Sequence, residues 1–305
     1  MLAVAEVALG RDGLELDGIN RRGLAWDAVF ERMVALGFTL PCLLVVAIAV
    51  AIPCGWLFYL SMFGADGGLS FENYQRIIDG ASYSRIFMTT FQVSLLTVLA
   101  CVIIGVPFAT FISSLDQRQA VYFVAAILLP FWTSLLVRAY SWLVLLQRGG
   151  IVNSTLLSLG VIDEPLPLAF NHFATILGMT HIMLPIFLLP VLGAMRGIDR
   201  SLIRASASLG ASRGFTFRSV FLPLAAPGIA AGAILVFVMS LGFYVTPAIL
   251  GGGNVTVISM RIARSLSNFS NWGAASALGV LMLVFTGAVF ALGYGLQRAI
   301  ARRAS

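Results

Sequence analysis

Residues 199–223 read Asp-Arg-Ser-Leu-Ile-Arg-Ala-Ser-Ala-Ser-Leu-Gly-Ala-Ser-Arg-Gly-Phe-Thr-Phe-Arg-Ser-Val-Phe-Leu-Pro, with long apolar runs on both sides. Asp199 suits a helix N-cap, because its carboxylate can accept from the free N–H groups of the first turn. Leu202, Ala205, Ser206 and Leu209 recur at helical spacing, and Arg200 and Arg204 fall on another face. Gly210 stands where that helix should end, since glycine takes the left-handed C′ conformation without a Cβ penalty. Ser212 can cap a second helix whose face is Phe217, Val220, Phe221 and Leu224. The stretch therefore predicts a short amphipathic helix, a sharp glycine turn and a second helix that enters apolar sequence. Arg196, Arg200, Arg204, Arg213 and Arg218 lie in or beside it, which places it on the cytoplasmic side of a membrane. Topology alone does not call for a capped helix with an apolar face, so the stretch reads as a docking knob.

The flanking sequence fixes the fold class. The chain has 305 residues, 59% hydrophobic and only 10% charged, with a mean hydropathy of +0.97. No water-soluble globular domain has that balance. Charge-free runs define the membrane spans. They hold 33 residues between Arg32 and Asp66, 30 between Arg85 and Asp116, 31 between Glu164 and Arg196, 42 between Arg218 and Arg261, and 33 between Arg264 and Arg298. A sixth, Arg118 to Arg148, is interrupted only by Arg138. A crossing needs about 20 apolar residues. The expectation is an all-α integral membrane protein with six helices near 34–62, 86–113, 121–146, 171–195, 219–247 and 273–297. Residues 1–33 form a polar tail, in which 24–33 could make an amphipathic surface helix. Residues 34–298 form the membrane domain with its knob-bearing loop at 196–218, and 299–305 form a second tail. The tail is not read as a secretory signal, because no short apolar core with a small-residue cleavage site follows its basic start.

Arginine counts set the orientation. With the N-terminus inside, inner segments hold 13 arginines and outer loops five. That bias puts both termini and the 196–218 loop in the cytoplasm. The net charge of +6 is spread between apolar runs, which fits membrane topology and not nucleic acid. The chain has no lysine, so it cannot carry the Walker A loop that binds nucleotide phosphates.

The same residues carry a family likeness. Ala205-Ser206, Ser208-Leu209-Gly210-Ala211-Ser212, Phe217, Val220 and Leu222-Pro223 resemble the EAA loop of ABC-importer permeases, with Arg204 where that motif has Glu and Ser206 where it has its second Ala. Pro130-Phe131-Trp132-Thr133-Ser134, Leu136-Val137-Arg138 with Tyr140, Leu222-Pro223-Leu224 with Pro227-Gly228-Ile229, and Phe243 to Gly252 are similar to the polyamine (spermidine/putrescine) branch. The resemblance runs from about residue 34 to about residue 300. It implies the type I importer permease fold in a bacterial inner membrane. It also implies that the knob is a coupling helix seated on a cytoplasmic ATPase, through Arg204, Ala205, Ser206, Leu209, Gly210, Ala211 and Ser212. The implied partners are a sister permease subunit, an ABC ATPase dimer, an extracytoplasmic solute-binding protein and membrane lipid. No cofactor or metal is expected, and the chain does no covalent chemistry of its own.

Other motifs weigh less. Gly210-Ala211-Ser212-Arg213-Gly214 matches the G-x-S-x-G nucleophile elbow, but that chemistry needs an acid and then a histidine downstream. No carboxylate follows Asp199, and His172 and His181 both lie upstream. Those histidines are nine residues apart, on different helix faces, without a ligand-spaced partner. Gly228 with Gly232, and Gly287 with Ala291 and Gly295, are small-residue patterns that allow close helix approach. Arg138 is the one charge inside a span, and such residues are costly enough to point to function, although a long side chain can also snorkel to the interface. Trp132, Tyr140 and Tyr244 could join it along a substrate path, or form an interfacial aromatic belt. A polyamine would meet no carboxylate in these spans. The alternative solute is therefore zwitterionic or anionic, amino-acid-like or a phosphonate, in the same transporter class. A secondary transporter would instead call for intramembrane carboxylates, and there are none.

Overall fold

The computed structural model describes residues 30, 33–34, 37–64, 68–268 and 271–304. Most of the tail predicted at 1–33, including most of the surface helix at 24–33, lies outside the described residues, as does Ser305. Among the described residues the chain is helical, with one isolated antiparallel bridge between Phe63 and Leu69. Six stretches are long and apolar enough to cross a membrane: Gly37–Ser61, Ala81–Ser114, Leu135–Ser158, His172–Arg196, Arg213–Leu241 and Trp272–Gly295. The chain divides into two units, Met1–Leu57 and Phe58–Ser305. Apart from a few residues before it, what is described of the first is most of α1 (Gly37–Ser61), a run rich in Val, Leu and Ile without a charge.

In the second unit, α2 (Glu72–Asp79) precedes the long α3 (Ala81–Ser114). Its packed centre is α3 against α7 (His172–Arg196) and α10 (Leu222–Leu241). Phe187 of α7 is wholly buried there, among Cys101, Met183, Val191 and Val236. It fits because two glycines face it. A Cβ on Gly105 would stand 2.5 Å from Phe187 Cδ1, and one on Gly232 would stand 3.0 Å from Cδ2. Gly228 lies as close over Ala194, so the 228/232 pair does bring α10 against α7. On the last helix, α13 (Trp272–Ala304), no described residue comes within 4 Å of a Cβ on Gly287 or Gly295, whereas Gly293 packs against Ile234.

The third span differs from the continuous helix expected over 121–146. It runs as α4 (Gln117–Leu128), a 3-10 turn (Leu129–Trp132), extended residues Thr133 and Ser134, and α5 (Leu135–Leu146). Pro130 has no N–H to give the ladder. Thr133 then turns inward locally, its N–H and its hydroxyl both donating to Pro130 O at 3.1 and 2.7 Å. Between Gln117 and Leu146 this part of the chain runs beside α7. At one end Arg196 Nη1 donates to Gln117 Oε1 at 3.0 Å. At the other, Leu146 packs with Ala174 and Leu250. The chain thus travels the length of α7 between those residues, and α6 (Ile151–Ser158) follows. Asn153 pins that segment, donating to Gln147 O and Leu166 O and accepting from Leu166 N–H.

The fifth span also departs from a single helix over 219–247. It begins at α9 (Arg213–Thr216), passes through a π turn (Phe217–Phe221) into α10, breaks at Gly242–Tyr244, and resumes as α11 (Val245–Leu250) and α12 (Ile258–Ser267). The π turn has a local cause. Pro223 cannot donate to the carbonyl four residues back, and the ladder shifts one residue earlier, with Leu222 N–H donating to Phe217 O. Phe217 and Phe221 stack across it at 5.7 Å.

Candidate functional site

The knob at residues 199–216 forms as its sequence predicts. Helix α8 (Arg200–Ser208) starts where Asp199 accepts from Ser201 N–H at 2.8 Å. Hydrogen bonds from Ser201, its hydroxyl first and then its backbone, hold the Asp199 carboxyl below the usual range, and the Arg204 charge adds to them. The helix ends in a Schellman turn. Gly210 N–H donates to Ala207 O at 3.0 Å, and Ala211 N–H donates to Ser206 O at 3.2 Å. Gly210 has φ +81°, the left-handed region that disfavours a side chain. Ser212 then caps α9, its Oγ accepting from Phe215 N–H at 3.3 Å. A hydroxyl–hydroxyl bond of 2.9 Å between Ser206 and Thr216 locks α8 to α9.

The two faces of α8 differ. Leu202, Ala205 and Leu209 are exposed, and Leu209 is 88% open; Phe215, on α9, is exposed as well. Arg200, Ile203, Arg204 and Ala207 instead line a cavity of about 1180 Å³ between the knob and the ends of α3, α4 and α7. Arg204, which stands where the resembling motif has Glu, therefore belongs to the cavity face and not to the leucine face. Phe215 and Thr216 were not singled out by sequence reasoning. The Ser-x-x-Phe spacing after Gly210 was the available signal for Phe215, whereas the contact of Thr216 with Ser206 depends on the turn being closed.

The residues expected along a substrate path are not gathered by this chain alone. Trp132 lies in the 3-10 turn and Tyr140 on α5, both exposed, and Tyr244 is exposed in the break before α11. Arg138 turns elsewhere. Its guanidinium lies over Phe131 at 5.6 Å. Arg138 Nε and Nη1 are buried without a hydrogen-bond partner. His181 accepts from Trp142 Nε1–H at 3.2 Å, so its ring is held by a hydrogen bond inside the bundle. Among the described residues no cluster of His, Cys, Asp or Glu could hold a metal.

A chain with six stretches able to cross a membrane and a capped knob has relatives among known proteins. Residues 119–305 match the model of the binding-protein-dependent transport system inner membrane component. The chain belongs to that family. Within it, this inner-membrane component is 32% identical over 222 residues to the spermidine/putrescine transport system permease protein PotB of Escherichia coli (strain K12), covering 70% of this chain and 80% of PotB. It is 30% identical over 234 residues to PotB of Salmonella typhimurium, covering 77% of this chain and 81% of that protein. Its fold is that of a bacterial ABC transporter involved in the import of the acidic polysaccharide alginate, with a TM-score of 0.71 at 18% identity over 90% of this chain and 98% of the other. The chain is thus a multi-pass membrane subunit of an ABC importer.

Proposed function

We propose that this subunit carries a polyamine such as putrescine or spermidine inward, driven by ATP hydrolysis on a separate ATPase dimer that docks on α8. The observation that carries the coupling role is the exposed Leu202–Leu209 face of a knob closed by two caps and a Schellman turn. A rigid apolar protrusion in water is stable alone only through such local bonds, and it gains further by burial in a partner's groove. Movement of that groove on nucleotide closure would be passed through the π turn into α10 and α7. In this reading both termini and the knob are cytoplasmic, and the solute-binding protein meets the opposite end, where Asn153 orders the 147–166 segment. A sister permease would cover Trp132, Tyr140 and Tyr244 and close the path between the two subunits. The substrate assignment rests on the likeness to PotB over most of the chain and on exposed aromatic faces suited to an organic cation.

A second reading follows from one feature. Arg138 keeps two buried nitrogens without an acceptor, and a solute carboxylate or phosphonate would supply one. The two readings separate in a reconstituted complex with its binding protein. Putrescine or spermidine should stimulate ATP hydrolysis and enter the vesicles, while an amino acid or an aminophosphonate should not. Stimulation by the anionic solutes alone would replace the polyamine assignment.

A further inference from the structure

The cavity behind the knob has two characters. Its rim carries Arg196, Arg200, Arg204 and Arg213 against one carboxylate, Asp116, while Met195, Phe217 and Phe221 are among the residues that make its wall apolar. Arg196 is held by Gln117, and Asp116 is engaged as the N-cap of α4, accepting from Gln119 N–H. The ion pair among the described residues is Arg76 with Glu72, far along the chain, and no carboxylate there lies within 4 Å of these four guanidinium groups. Four arginines against Asp116 in the lining, with Asp199 beside Arg200 and within reach of the Arg204 charge, still leave a net positive rim. The cavity also lies where α3 ends at Ser114 and α7 ends at Arg196, at the level where a span meets the headgroups.

We propose that this cavity is a binding site for an acidic phospholipid of the inner leaflet, with the phosphate at the arginine rim and part of an acyl chain against the apolar wall. Guanidinium groups match phosphate geometry with two parallel donors, and basic pockets between spans on the cytoplasmic side suit anionic headgroups. The volume of about 1180 Å³ accommodates a headgroup with several methylenes. An acidic protein segment would satisfy the rim but leave the apolar wall unfilled. It would also have to reach the α8 face opposite the leucine face. The lipid bridges α8 to the ends of α3 and α7, so its presence stiffens the knob on the bundle. The inner-leaflet assignment rests on the orientation proposed above. Lipid retention itself depends on neither that orientation nor ATPase docking, so the two readings fail independently.

The test uses the complete complex in nanodiscs of phosphatidylcholine with one quarter phosphatidylglycerol, followed by native mass spectrometry after mild delipidation. The wild type should retain phosphatidylglycerol at least tenfold over phosphatidylcholine. Arg196→Gln with Arg200→Gln should abolish that preference with the complex still assembled. Ala207→Trp, which keeps every arginine and starts from an exposed cavity-lining residue, should lower retention by filling the cavity. Equal retention in the arginine variant would overturn the proposal. Displacement of the lipid by millimolar inorganic phosphate would assign the rim to a soluble anion instead. Loss of ATPase from the arginine variant with lipid retention unchanged would assign it to an acidic face of the ATPase.

Discussion

Replacing Gly210 isolates the knob turn from everything else in the molecule. Its φ is +81°, and a Cβ built on it meets nothing within 4 Å. Any penalty is therefore in the backbone and not in packing. A left-handed alanine costs about 1–2 kcal/mol, and a β-branched residue lies toward the top of the range of about 1–3 kcal/mol for strained backbone. With tenfold per 1.4 kcal/mol, alanine should lower the closed-to-open ratio of the turn by about 5–30-fold, and valine by up to about 100-fold. Asparagine tolerates this region better than either. The order of coupling should be Gly, then Asn, then Ala, then Val. ATP hydrolysis stimulated by the loaded binding protein, measured in proteoliposomes beside solute uptake, reads that order directly. Basal hydrolysis and membrane insertion should hold, because no crossing residue changes. A Gly210→Val complex with near-normal stimulation would refute the reasoning. So would an order that followed side-chain size and put Asn below Ala, since the space there is open.

Further outcomes follow from the core and the spans. Gly105→Ala should press on Phe187, which Gly232 backs on its other side; overpacking of this kind costs about 1–3 kcal/mol. The complex should melt several degrees lower, with recovery when Phe187→Leu is added, and an unchanged Tm would show that the α3–α7 contact is slack. Arg138→Gln should leave assembly intact. For a polyamine it should alter selectivity or maximal rate more than the apparent transport constant. For an anionic solute it should raise that constant at least tenfold, and unchanged uptake would make Arg138 a snorkelling residue only. Single cysteines at Ser154→Cys and Ser305→Cys in a cysteine-free chain test the orientation. An impermeant reagent added to intact cells should label the first, which is exposed in α6, and spare the second; the reverse pattern would invert the topology.

The parts of this chain that were legible in its sequence are those whose signals are local. Asp199, Gly210 and Ser212 each act within three residues, so the caps and the left-handed turn follow from neighbours alone. The spans were countable because charge is excluded from lipid whatever the tertiary structure. The breaks inside them were not, since Thr133-Ser134 and Gly242–Tyr244 carry no charge and sit in apolar surroundings. Pro130 marked the first of them and Pro223 only the π turn at Phe217–Phe221, and a proline in a membrane helix can end it, kink it or re-register it, as the neighbouring helices decide. The small-residue patterns show the same limit. Gly228 and Gly232 meet α7, whereas Gly287 and Gly295 meet nothing among the described residues. The site was half legible for a related reason. The leucine face came from helical period, but the cavity on the arginine face is made by the ends of α3, α4 and α7, more than 80 residues apart from Ser114 to Arg196.

The central claim is that the exposed face of α8 holds the ATPase, and the most direct measurement is ATPase co-purification with Leu202→Asp and Leu209→Asp in one chain. Burying a leucine is worth about 1.5–3 kcal/mol. Leu209 is 88% exposed before docking and Leu202 46%, so nearly one leucine's worth from the first and half from the second gives about 3 kcal/mol, or roughly a hundredfold in affinity. The account predicts a permease that still inserts, still pairs with its sister subunit and no longer retains the ATPase. An ATPase held at the wild-type level by that double variant would contradict it.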